Sequence, residues 1–267
     1  FKDSMASIES DSRLQQAVTQ SIASQQFLAE GTTIAMPAYP CVEPAKVIVT
    51  KNRSFEAARP YAEQGVKVAV LNFASSTNPG GGVTSGSSAQ EECLCRVSTL
   101  YPCLKDNAMW ESFYAPHRAA ANPLHNDDII YTKDVVVFKD DDYQPLEQPF
   151  MVDVITCAAP NLRAKASNRY NPYDGTQTPE LTSDELMALH EQRGRQIIAS
   201  AAANGAQALI LGAFGCGAFR NNPRTVAMAY QKILPEYLRY FQIVEFAIYF
   251  RAYDSQNYDI FNEILNI

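Results

Sequence analysis

Residues 66–73, VKVAVLNF, are apolar at almost every position, and this run constrains the fold more than any other feature of the chain. A strand that hides one face alternates apolar and polar residues. A continuous apolar run is hidden on both faces, with helices packed on either side. KVIVT (46–50), IIYTKDVVVF (129–138), FMVDVITCAA (150–159), AQALILGAF (206–214) and VEFAIYF (244–250) also read as strands. Between them the pattern predicts helices over 54–64 (capped by Ser54, with Pro60 inside), 88–101, 106–115, 182–203 and 223–240, and a last helix to the C-terminus. An amphipathic helix over 10–29, bearing Leu14, Val18, Ile22 and Phe27, precedes them and ends at Gly31. Strands alternating with helices predict one α/β unit over residues 45–267, with residues 1–44 as an N-terminal helical extension at its edge.

Composition narrows the function. The 267 residues carry a formal net charge of −7, which argues against binding along a nucleic-acid backbone but leaves room for a local anion pocket. No run of eighteen apolar residues suggests a membrane span, and no basic-then-apolar leader is seen, so a cytoplasmic location is expected. The six cysteines form no CxxC pair and only three histidines are present, so neither a metal site nor a cofactor is expected.

Two glycine-rich loops follow strands. The first, NPGGG (78–82), holds Gly80, Gly81 and Gly82, which admit positive φ and project no Cβ, so that backbone can lie against a ligand. The second, GAFGCGAFRNNP (212–223), has a GxxGxG pattern on Gly212, Gly215 and Gly217. It is neither the dinucleotide GxGxxG nor a nucleotide-triphosphate loop. Asn222 ahead of Pro223 reads as a helix N-cap, a place that suits phosphate as well as a plain tight turn. Loops at the carboxyl ends of neighbouring strands can border one crevice.

Glu91 and Glu92 begin the helix after the first loop. Ser88-Ala89-Gln90-Glu91 fits a capping box, so Glu91 could simply close the helix. Neighbouring helical residues point about 100° apart, so the two carboxylates do not flank a bond as a common glycosidase pair does. If a glycosidic bond is cut here, one glutamate does most of the proton work and the other orients the sugar. Such an acid needs a crowded or apolar setting to keep its proton near neutrality.

Gly80-Gly81-Gly82, seven residues, then Gln90-Glu91-Glu92 resembles the GGG-x(6–8)-QEE signature of the poly(ADP-ribose) glycohydrolases, and Gly215 to Phe219 resembles that family's diphosphate-binding loop. The likeness runs from about residue 45 to 255 and is greatest to the compact bacterial and microbial branch. It implies a macrodomain fold: a three-layer α/β/α sandwich around a mixed sheet, here with added N-terminal helices and with residues 45–267 as the catalytic unit. It implies that Glu92 protonates the departing ribose oxygen and then activates water, that Glu91 holds ribose hydroxyls, and that Gln90 supports the motif. Gly80, Gly81 and Gly82 are implied to wrap the diphosphate and distal ribose from one side. Gly215, Cys216 and Gly217 would give backbone amides from the other, with Phe219 packing on the ribose. Asn78 is a candidate partner for ribose hydroxyls or a plain turn residue. Phe250 is a candidate for stacking on adenine or a core aromatic, and Asn72 and Thr84 are candidates to line the cleft.

The expected activity is therefore hydrolysis of ribose–ribose bonds of poly(ADP-ribose), mainly from chain ends, releasing ADP-ribose. The partners expected are the polymer or ADP-ribosylated proteins, with neither membrane nor nucleic acid. Removal of single ADP-ribose units from proteins is the first alternative. A non-enzymatic ADP-ribose reader is the second, although a reader has no need of the glutamates. Residues 161–179, rich in Asn, Pro, Gly and Tyr, predict a long loop of the kind that serves as a lid; the roles of Tyr170 and Tyr173 in it stay open.

Overall fold

The structure, a computed structural model, describes every residue except 40, 42, 170, 178, 252, 253, 266 and 267; Tyr170 therefore lies outside the described residues. Among those described, seven strands form one mixed sheet: β1 (Gln26–Leu28), β2 (Lys46–Thr50), β3 (Val68–Phe73), β4 (Ile129–Lys139), β5 (Pro145–Cys157), β6 (Ala208–Leu211) and β7 (Ile243–Ala247). Their order across the sheet is β1-β4-β5-β3-β6-β7-β2. Strands β5, β3, β6, β7 and β2 run parallel, whereas β4 and β1 pair antiparallel. The helices are α1 (Lys2–Ser10), α2 (Ser12–Ser24), α3 (Ser54–Glu63), α4 (Gln90–Val97), α5 (Leu100–Leu104), α6 (Asn107–Met109), α7 (Ala115–Ala120), α8 (Ser183–Ala203), α9 (Pro223–Ile233) and α10 (Gln256–Leu265). A π-turn over Trp110–Tyr114 joins α6 to α7.

The apolar run of β3 divides between two cores. Val68 and Val70 of β3 pack with Phe55 and Ala58 of α3 and with Leu94 and Cys95 of α4. Ala69 and Leu71 face the other way, towards Ile197 and Ile198 of α8, Tyr230 of α9 and Phe261 of α10. This is the three-layer α/β/α macrodomain-like sandwich that the resemblance implied.

Several boundaries differ from the periodicity, each for a local reason. The helix expected over 10–29 stops at Ser24, because Gln26–Leu28 pair with the free edge of β4. The helix expected over 88–101 breaks after Val97, where Thr99 exchanges bonds with Val136 of β4: its N–H donates to the Val136 carbonyl (2.9 Å) and its Oγ1 accepts from the Val136 N–H (3.0 Å). The helix expected over 223–240 ends at Ile233, just ahead of Pro235, which has no N–H to continue it, and 3-10 turns follow. The last strand ends at Ala247, so Phe250 lies beyond it.

The sheet opens between β3 and β6. Their pairing runs only from Val68↔Ala208 to Val70↔Ile210. Strand β3 nevertheless stays with β5 as far as Phe73↔Cys157, and β6 stays with β7 as far as Leu211↔Phe246. Both glycine loops leave from the carboxyl side of this split.

Candidate active site

Gln90 occupies the split. Beyond Val70, strand β3 presents the Leu71 carbonyl and the Phe73 N–H with no strand beside them. Gln90 Nε2 donates to the Leu71 carbonyl (2.7 Å), and its Oε1 accepts from the Phe73 N–H (2.8 Å). One carboxamide thus takes the place of a neighbouring strand, in line with the need of buried backbone groups for partners. Gln90 Nε2 also donates to Ser54 Oγ (3.0 Å). Ser54 is therefore the first residue of α3 rather than its cap, and Arg53 is the N-cap residue. Gln90 fixes the first turn of α4 against the end of β3.

Glu91 and Glu92 follow in that turn, and both are buried. Glu91 does not close a capping box, since the N-cap residue of α4 is Ala89 and no side chain caps the helix. Instead Glu91 Oε2 accepts from the Ser75 N–H (2.7 Å) and Oε1 from Asn72 Nδ2 (3.3 Å), while Asn72 also donates to Thr156 Oγ1 (3.2 Å). Burial first, and the Glu92 carboxylate second, push the Glu91 carboxyl well above the usual carboxylate range, against donors from Ser75, Asn72 and Gly80. Glu92 Oε1 accepts from the Gly82 N–H (2.8 Å), and its buried Oε2 has no partner among the described residues.

The glycine loop is shaped around them. Gly80 and Gly81 have φ of +67° and +58°, and the Gly81 N–H closes a turn onto the Asn78 carbonyl (2.9 Å). A Cβ on Gly81 would lie 2.5 Å from Glu92 Oε1 and 3.0 Å from Glu91 Oε2, so both carboxylates converge on this one residue. Asn78 Oδ1 accepts from Arg118 Nη2 (2.6 Å). Asn72 lies in the floor beneath Glu91, but Thr84 is exposed on the 3-10 turn that follows the glycines.

The second loop meets the first through the Phe73 and Phe214 rings, 5.7 Å apart. Its organiser is Asn221, which sequence reasoning overlooked beside its capping neighbour. Asn221 Nδ2 donates to the Pro160 and Gly215 carbonyls (2.7 and 3.0 Å), and Oδ1 accepts from His190 Nε2 (2.8 Å). Burial pulls the His190 imidazole down to about 4, against the Asn221 bond; it is neutral near pH 7, with its proton on Nε2. Gly215, at φ +76°, admits no Cβ, which would sit 2.6 Å from Ala159 Cβ.

The amides do not all stand where the sequence put them. The Cys216 N–H is spent on the Ala213 carbonyl (3.0 Å), because the loop turns back on itself there. Asn222 Oδ1 takes the Arg224 and Thr225 amides, so the start of α9 is closed by its own cap. The amides of Gly215, Gly217, Ala218 and Phe219 have no protein partner among the described residues. Consecutive unpaired amides of this kind form an anion-binding concavity. Phe219 is half-buried, with its ring 5.7 Å from that of His125. Phe250 is also half-buried and rests 5.3 Å from the Tyr258 ring, with Lys51 Nζ 5.6 Å from its centroid, so it is not a core aromatic.

Among the described residues no group of three His, Cys, Asp or Glu is placed to hold a metal ion, and no helix is long and apolar enough to cross a membrane. A cavity of ≈ 560 Å³ lies away from both loops, lined by residues that include Arg53, Glu56, Asp141 and Tyr249. Its lining includes neither Glu91 nor Glu92.

Comparison with known proteins agrees with this geometry. Residues 4–140, just over half the chain, match the family described as microbial-type PARG, catalytic domain. The poly(ADP-ribose) glycohydrolase of Thermomonospora curvata is 31% identical, with a TM-score of 0.82, over 94% of this chain and 89% of that one. The same enzyme bound to the inhibitor ADP-HPD is similar with a TM-score of 0.78 at 31% identity, over 93% and 88%. The Deinococcus radiodurans enzyme in complex with ADP-ribose is 30% identical with a TM-score of 0.76, over 93% and 96%. A comparison with curated proteins gave no match. The chain belongs to the microbial-type poly(ADP-ribose) glycohydrolases, and is a glycosidase.

Proposed function

We propose that the protein hydrolyses the ribose–ribose O-glycosidic bond of poly(ADP-ribose), working mainly from chain ends and releasing ADP-ribose. The observation that carries the reading is the convergence of two buried carboxylates on Gly81, one of them with an oxygen that no group of the described residues satisfies. Both Glu91 oxygens already accept protein donors, so Glu91 is suited to hold ribose hydroxyls in place. Glu92, tethered at Oε1 by Gly82, offers Oε2 to the bond. Glu92 gives a proton to the departing ribose oxygen as the bond from the anomeric carbon to that oxygen breaks. The sugar left behind has oxocarbenium character. Water then adds to its anomeric carbon and returns a proton to the Glu92 carboxylate, so the cycle closes with no other reactant.

The unpaired amides of the second loop suit the diphosphate, and Gly80 to Gly82 give it a wall without side chains on the opposite side. Phe219 then lies against the ribose and Phe250 towards the adenine, with Asn78 at the ribose hydroxyls. A cytoplasmic location and ADP-ribosylated proteins as partners belong to the same reading. The acidic net charge supports action at ends rather than along a polyanion.

The experiment is a time course on purified poly(ADP-ribose), resolved by chromatography. Monomeric ADP-ribose should appear from the first points, with few intermediate oligomers. Early short oligomers would overturn end-directed cleavage. No release, from protein that still binds ADP-ribose, would overturn the polymer as substrate and favour mono-ADP-ribosylated protein.

A further inference from the structure

Arg118 on α7 makes contacts that a surface arginine has no need of. Its Nε donates to the Thr77 carbonyl and its Nη2 to Asn78 Oδ1, both at 2.6 Å. Its guanidinium carbon lies 4.6 Å from the Trp110 ring centroid and 4.1 Å from that of Tyr173, so it is held by two aromatic rings as well as by its edge. Stacking and a rigid two-nitrogen fork are properties of arginine that lysine lacks. The π-turn helps to build the site: Trp110 and Arg118 flank the buried Tyr114 at four-residue intervals along one helical stretch.

What Arg118 grips is the first residue of the turn that brings Gly81 and Gly82 to the glutamates. From Arg118 the connection runs to Asn78, through the Asn78–Gly81 turn, and through the Gly82 N–H to Glu92 Oε1. Tyr173 ties a second element to the same point. It belongs to the long 161–179 loop and is 44% exposed, with its ring over the guanidinium. That loop is anchored at the same turn by Thr77 Oγ1, which donates to Asn171 Oδ1 (2.6 Å), and Asn171 Nδ2 in turn donates to Asp174 Oδ2 (2.6 Å). Gly175 presses so near Ala121 that a Cβ there would meet its carbonyl.

We propose that Arg118 is a positioning residue for the hydrolysis, setting the glycine turn against Glu92, and that Tyr173 couples the long loop to that setting by covering the guanidinium. The proposal rests on the reading of the site as a poly(ADP-ribose) hydrolase. Arg118 touches neither glutamate, so its loss should displace the turn and leave the phosphate-binding amides in place.

The test is steady-state hydrolysis of poly(ADP-ribose) by Arg118→Lys, Arg118→Gln, Tyr173→Ala and Tyr173→Phe, with thermal midpoints for each. Misplacing a reacting group by a fraction of an ångström costs on the order of tenfold or more. Both Arg118 variants should therefore lose about tenfold or more in kcat, with KM moving less than about threefold. Tyr173→Phe keeps the ring and should keep kcat, whereas Tyr173→Ala should lose kcat in the same sense as Arg118→Lys. Trp110, the only tryptophan of the chain, gives a second readout. ADP-ribose should change its fluorescence in the natural protein, and that response should be weakened in Arg118→Gln.

Full kcat in Arg118→Lys would overturn the proposal, as would losses that merely follow the folded fraction. If the Arg118 variants fail to fold, Tyr173→Ala decides, because its exposed ring can be removed without opening a core. A natural protein that releases nothing from the polymer would sink the functional reading instead. Hydrogen exchange at the Gly81 amide would then still decide the role of Arg118: faster exchange in Arg118→Lys supports the hold on the turn, and unchanged exchange ends it.

Discussion

Gly81 and Glu92 are fitted to each other: the glycine has φ +58°, and any Cβ on it would lie 2.5 Å from Glu92 Oε1. Backbone conformation and side-chain space each exclude other residues, and the second exclusion is made by the carboxylates themselves. Gly81→Ala should therefore cost about 1–3 kcal/mol in stability and on the order of a hundredfold in kcat. Gly86→Ala is the control. Its φ is +83° but nothing lies within 4 Å of its would-be Cβ, so it should cost about 1–2 kcal/mol of backbone strain and leave turnover intact. Denaturant titrations beside turnover on the polymer separate the two.

Glu92→Gln removes the proton donor and little else. The amide oxygen still accepts from the Gly82 N–H, and the oxygen lost to the substitution has no partner among the described residues to strand. The variant should fold normally and bind ADP-ribose within a few-fold of the natural protein. Turnover should fall by about 10²–10⁴, the range expected for a positioned proton donor. Calorimetric titration with ADP-ribose and a polymer time course on the same sample provide the comparison. Unimpaired turnover would remove Glu92 from the mechanism.

Glu91 makes a prediction about stability and pH. Its carboxyl is raised in the folded protein, so the folded state keeps a proton that the unfolded chain releases above its ordinary value of 4.5. Stability from this group is fullest below that pH and is lost as the pH climbs towards the raised folded value. Glu91→Gln has no such proton. Asn72, whose Oδ1 is unpaired, can turn its amide to meet the new donor. As the pH rises above the ordinary value of 4.5, the variant should lose less stability than the natural protein, although it is the poorer enzyme. Thermal midpoints at several pH values measure this, and parallel curves for the two proteins would contradict it.

Much of this architecture was legible because it follows from local rules. VKVAVLNF had to be covered on both faces, and Asn222-Pro223 had to start a helix. Gly80 to Gly82 and the glutamate pair were visible as a motif. What was hidden depends on tertiary partners. Gln90 has no local signature for taking a strand's place, since the parting of β3 and β6 is a property of the whole sheet. Arg118 is forty residues from the turn that it grips. The Ser88–Glu91 capping pattern was real as a pattern, but buried donors on Ser75 and Asn72 outcompeted the helix end for the same carboxylate. Cys216 looked equivalent to its glycine neighbours, and only the fold of the loop spends its amide.

Asn221 and Asn222 stand side by side with opposite duties, and that gives the last prediction. Asn222 caps α9 from an exposed position, whereas Asn221 is 2% exposed and joins Pro160, Gly215 and His190. Asn221→Ala leaves the Pro160 carbonyl and an imidazole N–H buried without their partners, while the Gly215 carbonyl keeps the backbone N–H of residue 221; this should cost about 2–4 kcal/mol. Because those bonds hold the loop whose free amides face the diphosphate, ADP-ribose affinity should fall by about tenfold or more. The carboxylates lie on the other side of the split and are untouched. KM should therefore rise more than kcat falls, the reverse of Gly81→Ala. Kinetics run at a temperature where the variant is fully folded would decide it. An equal loss in both variants would mean that the two loops do not divide binding from proton transfer.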